Sequence, residues 1–72
     1  MIGQQLVGVR IKEAREELGL TQGEFAKELH VSCSTICLYE KGLSTPDALF
    51  IRDVAQITSF TADYLLGLSD FK

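Results

Sequence analysis

The chain has 72 residues, 46% of them hydrophobic and 24% charged, with one proline and no tryptophan. That describes one small domain, with room for a single core and none for a large lidded substrate cleft. Ten acidic against seven basic side chains leave a formal net charge of −3, which excludes a protein that holds nucleic acid by bulk positive charge alone.

The opening stretch MIGQQLVGV carries no basic residue ahead of its apolar run, and no run approaches the roughly 18 apolar residues that a membrane span needs. The expected location is therefore cytoplasmic, away from any membrane, where Cys33 and Cys37 stay reduced thiols rather than a disulfide framework. Every segment between turn signals spaces its apolar residues at three and four rather than at two, so five short helices and no strand are predicted. The whole of 1–72 reads as one compact all-α domain.

The first helix presents Val7, Ile11, Ala14 and Leu18 on one face, with Arg10, Glu13, Glu16 and Glu17 elsewhere. Gly19 stops it, and Gly8 weakens its first turn. The second starts at Thr21, whose hydroxyl caps the helix while Glu24 reaches back three residues, and Leu20 and Phe25 flank that capping box as a hydrophobic staple. Val31 and Ile36 repeat the staple around Ser32, the predicted cap of the third helix, and Phe60 and Leu65 repeat it around Thr61 before the fifth. Between the third and fourth helices lies GLSTP, where Gly42 ends one helix and Thr45-Pro46 is expected to start the next, proline being tolerated at the first helical position. Gly67 closes the last helix. Phe25, Leu29, Ile36, Ile51, Val54, Phe60, Tyr64 and Leu65 are the expected core.

Only His30 to Ser32 separate the second helix from the third, too few residues for the two to lie side by side without a sharp corner. The ordered set Arg15, Gly19, Leu20, Thr21-Gln22, Phe25-Ala26, Val31-Ser32, Ser34-Thr35-Ile36, Tyr39-Glu40, Gly42, Pro46, Ala55 and Asp63-Tyr64-Leu65-Leu66-Gly67 resembles the lambda-repressor-like, Cro/CI-type helix-turn-helix family over nearly the full chain. The resemblance implies a five-helix DNA-binding domain whose third helix enters the major groove of double-stranded DNA. It implies base-edge contacts from Cys33, Ser34, Thr35, Cys37 and Leu38, and phosphate contacts from Gln22, Lys41, Leu43 and Ser44. It also implies an architectural ion pair between Arg15 and Glu40, orienting the third helix against the first while leaving guanidinium hydrogens near a phosphate.

A wheel of the third helix turns Ile36, Tyr39, Glu40 and Ser32 inward and Ser34, Cys37, Leu38 and Lys41 outward, with Cys33 and Thr35 at the flanks. Family members often carry Arg, Lys or Gln at the positions of Cys33 and Leu38, where this chain has none. The bidentate base contacts those residues make are worth about 1–3 kcal/mol each. Apolar contacts, DNA shape and dimer spacing would carry specificity instead, which favours a site biased to A·T pairs. Leu66, Leu68 and Phe71 leave apolar side chains near the C-terminus with little interior to hide them, and two-fold dimerisation is their expected use.

Among residues 32 to 46 only Glu40 and Lys41 are charged, so with Glu40 turned inward the predicted DNA face is neutral or slightly positive despite the acidic whole. Two other readings fit parts of the same sequence. As a runner-up, Leu38 and the cysteines would suit a protein-interaction module with a protein partner, such as an antitoxin. His30, Cys33 and Cys37 form HxxCxxxC, but no fourth ligand completes a closed metal site, so no metal and no cofactor is expected and control through the two thiols is what remains of that motif. No Gly-rich phosphate loop, nucleophile motif or paired acid supports catalysis, and the chain is not read as an enzyme.

Overall fold

The structure is a computed structural model that describes residues 3–70. Five helices follow one another: α1 (Gly3–Glu17), α2 (Gln22–Glu28), α3 (Cys33–Glu40), α4 (Ala48–Ile57) and α5 (Ala62–Leu65), and no strand occurs among the described residues. The all-α expectation holds. α3 packs on both α1 and α2, while α5 packs on α4 and α1. Every residue of the expected core is buried, and Ile11, Ala14, Ala26 and Phe50 complete the cluster.

Local chemistry starts and stops the helices. Thr21 and Glu24 form the reciprocal capping box of α2, Ser32 Oγ accepts from the Thr35 backbone N–H, and Thr61 Oγ1 accepts from that of Tyr64. At the other ends, α1, α2, α3 and α5 finish in the same pair of backbone hydrogen bonds around one left-handed residue. Three of those residues are glycines. The fourth is His30, at φ 59°, a side chain that tolerates this region better than most and that closes the α2–α3 corner.

Two expectations are corrected and two are extended. α4 does not begin at Thr45-Pro46: its cap is Asp47, whose Oδ1 accepts from the Phe50 N–H at 2.8 Å. Aspartate outranks threonine as a cap, and Pro46 is a buried residue ahead of the helix. Gly8 is more than a weak point in α1, because a Cβ there would stand 2.4 Å from the Tyr39 carbonyl oxygen and 2.9 Å from that of Glu40. It is a point of close backbone approach between α1 and α3. Ser32 is exposed rather than inward, since capping keeps it at the rim of α3. Arg10 and Glu13, outside the apolar face of α1, both reach the C-terminal segment. Arg10 donates to the Tyr64 and Ser69 carbonyls and Glu13 accepts from the Tyr64 hydroxyl.

The α4–α5 join, where Thr58 and Ser59 replace the leucine and glycine usual in the resembling family, is stitched by a hydroxyl. Thr58 Oγ1 donates to the Val54 carbonyl at 2.7 Å and accepts from the Phe60 N–H at 3.2 Å.

Candidate nucleic-acid interface

α2 and α3 meet across four residues, Leu29 to Ser32, and α3 lies with Ile36 buried and Ser34, Cys33 and Leu38 exposed. Thr35 and Cys37 are half-buried. Of the expected base-reading set, three side chains therefore stand free at the surface and two sit at its margin. The Thr35 hydroxyl is within 2.8 Å of Ser32 Oγ, so it helps to hold the start of α3, and Ser34 presents the hydroxyl with the clearest access.

Of the phosphate set, Lys41 and Leu43 are exposed, and Gln22 and Ser44 are half-buried. Gln22 Nε2 donates to Glu40 Oε1 at 3.0 Å, which fixes the amide at the start of α2 against the end of α3. Lys41 is the C-cap residue of α3, where its ammonium is favourably placed beside the negative end of the helix.

The ion pair expected between α1 and α3 is present. Arg15 Nε meets Glu40 Oε2 at 2.7 Å and its Nη2 meets Oε1 at 3.2 Å, while Nη1 donates to the Leu20 carbonyl at 2.9 Å. The side chains are only 12% and 4% exposed, so the fork is largely withdrawn from solvent and little of it is left for a phosphate. The hydrogen bond to Glu40 holds the Arg15 guanidinium above its ordinary range, with burial opposing and the Glu40 and Glu16 charges assisting. The consequence is electrostatic: the sole acid between residues 32 and 46 is neutralised inside the fold, and Lys41 is the only charge that this segment exposes.

At the far end of the chain Leu66 is 44% and Leu68 75% exposed, beyond the short α5. Phe71, the third member of that expected group, lies outside the described residues.

Residues 8–70 match the helix-turn-helix domain family. The chain belongs to that family. Two Bacillus subtilis relatives of this helix-turn-helix domain are HTH-type transcriptional regulators. It is 34% identical to ImmR over 61 residues, 85% of this chain and 48% of ImmR. It is 38% identical to the uncharacterized regulator YazB over 61 residues, 85% of this chain and 88% of YazB. The domain thus spans about half the length of ImmR and most of YazB. Its fold matches the P22 c2 repressor protein, in a crystal structure with synthetic operator 9T, with a TM-score of 0.80 and 28% identity, covering 90% of this chain and 98% of that one. The family and these relatives are transcriptional regulators rather than enzymes, and among the described residues no helix is long and apolar enough to cross a membrane.

Two features of the interface escaped sequence reasoning. The Gln22 amide, expected at a phosphate, braces Glu40. The Ser32 and Thr35 hydroxyl pair is legible as a cap spacing, but not as an engagement of one of the hydroxyls expected to read bases.

Proposed function

We propose that this helix-turn-helix domain binds double-stranded DNA in the cytoplasm as a homodimer on a palindromic operator, and acts as a repressor by occupying it. The observation that carries the reading is the charge arrangement of α3. Glu40 is drawn inside by Arg15 and Gln22, so an acidic chain offers DNA a face whose one exposed charge is Lys41. Cys33, Ser34 and Leu38, with Thr35 and Cys37 at the margin, would meet base edges, and Gln22, Lys41, Leu43 and Ser44 the phosphates.

Size supports the two-copy requirement. The longest extent of the fold is 27 Å, less than the roughly 34 Å that separates half-sites one turn of DNA apart, so each copy reads one half-site. With a single exposed cation on the reading segment, one copy gains little from counterion release. Affinity then depends on two copies joined through Leu66, Leu68 and Phe71.

Selection from random DNA, followed by titration at several salt concentrations, tests this. An A·T-biased palindrome, saturable binding that weakens with salt, and a slope lowered by about one on Lys41→Ala are expected. A G-rich consensus would overturn the base-reading scheme. No saturable binding at low salt would leave the protein-partner reading in possession, with Leu38 at 43% exposed as its anchor.

A further inference from the structure

The two cysteines of the chain have no part in the core, and both are free thiols, Cys33 exposed and Cys37 half-buried. They are the first and fifth residues of α3, one turn apart, so they lie on one face of the helix. Side chains at this spacing have Cβ atoms about 5–6 Å apart. A disulfide needs about 3.5–4.5 Å, so the helix as it stands does not close one. A cation bound between two sulfurs is different, because two metal–sulfur bonds of about 2.3 Å placed end to end span about 4.6 Å. The spacing that rejects a disulfide accepts a bridging ion.

The rest of the surface decides which ion. Among the described residues no three of His, Cys, Asp and Glu are gathered so as to hold a metal, so His30 does not join the pair and a four-ligand zinc centre is not supplied. Soft sulfur ligands select monovalent copper, and two thiolates suffice for an ion of low coordination number.

We propose that Cys33 and Cys37 form a two-thiolate site for a soft, low-coordinate cation of the monovalent copper class on the outer face of α3, and that its occupancy excludes DNA. The second half of this rests on the DNA-binding reading. On binding, each thiol gives its proton to the buffer and each sulfur donates one electron pair to the ion, whose oxidation state does not change. Two neutral thiols and one Cu(I) thus become a complex of charge −1. That charge forms on the face proposed to enter the groove, one helical turn from Lys41 along the same ridge, where it repels phosphates and offsets the one exposed cation. The ion acts as a reversible effector.

The test uses the reduced 72-residue chain without oxygen, with Cu(I) delivered from a chromogenic chelator. One ion per chain is expected, both thiols becoming unreactive to a thiol reagent together. Cys33→Ser and Cys37→Ser should each lower affinity about 100-fold or more, since each removes the intramolecular second ligand. One equivalent of Cu(I) should weaken operator binding at least tenfold, and that ratio should fall to one in the doubly substituted chain, whatever its own affinity for DNA. Independent metallation of the two thiols, one ion shared between two chains, or undiminished affinity in either single variant would overturn the site. Full metallation with unchanged DNA affinity would overturn the exclusion. If the metal-free chain bound no DNA, the functional reading would fail while the copper stoichiometry still decided the site.

Discussion

Arg10 holds Tyr64 twice. Its guanidinium carbon lies 4.0 Å from the centroid of the Tyr64 ring, and Nη1 donates to the Tyr64 carbonyl at 2.8 Å. The same Nη1 also donates to the Ser69 carbonyl at 2.8 Å, while the Tyr64 hydroxyl donates to Glu13 at 2.6 Å. The long first helix thereby fixes the segment that carries Leu66 and Leu68. Charge-assisted hydrogen bonds are worth about 1.5–3 kcal/mol, so Arg10→Ala should cost about 2 kcal/mol in urea unfolding. Lysine should recover only part of this, because an ammonium lacks the planar fork. A loss within about 0.5 kcal/mol of zero, the usual range for an exposed surface change, would show that the clamp is idle.

Two helical glycines should respond to alanine with opposite signs. At Gly8 the propensity gain of about 1 kcal/mol is opposed by a Cβ 2.4 Å from the Tyr39 carbonyl oxygen, a backbone atom that moves only if α3 moves, so overpacking of about 1–3 kcal/mol wins. At Gly23 the nearest atom to such a Cβ is 4.0 Å away, and alanine should stabilise by about 0.4–1 kcal/mol. Thermal unfolding of the two variants checks the pair, and a stabilised Gly8→Ala would contradict the close approach of α1 to α3.

Breaking the Arg15 and Glu40 pair from one side leaves a carboxylate that is only 4% exposed. Arg15→Met should therefore cost about 3 kcal/mol, the lower end for a broken buried pair because Gln22 still donates to Glu40. Arg15→Met with Glu40→Leu should recover much of it, and a double variant as unstable as the single would argue against this account. Arg15 has its folded-state pKa raised. Its contribution is thus fully present below the unfolded value and lost only as pH rises through the folded one. Arginine's part in stability should accordingly be flat between about pH 7 and pH 10.

Asp47 rather than Thr45 caps α4. Asp47→Ala should lower stability by about 1 kcal/mol, with Thr45→Ala close to neutral by the same denaturation assay. The reverse order would restore Thr45-Pro46 as the start of the helix.

Leu66 and Leu68 are exposed in the single chain, so a charge there leaves the core intact. Leu68→Glu should give a monomer by light scattering and weaken palindrome binding at least tenfold while binding to an isolated half-site is retained. A monomeric parent chain that stays monomeric on DNA would remove the dimer proposal.

Contacts within one helix turn were legible because their chemistry is local. Thr21 with Glu24, Ser32 with Thr35 and Thr61 with Tyr64 all follow from side chains that meet backbone groups a few residues away. The sequence determined by itself the five helices, the sharp α2–α3 corner, the core and the family resemblance that pointed to Arg15 with Glu40. Asp47 was hidden by the competing signal of Pro46 beside it. Tertiary structure alone decided that Gly8 is a crossing point, that Gln22 braces Glu40 and that Arg10 clasps Tyr64 and Ser69. Those relationships join residues 18 to 59 positions apart and depend on how packed helices meet, information that no periodicity or cap spacing along the chain contains.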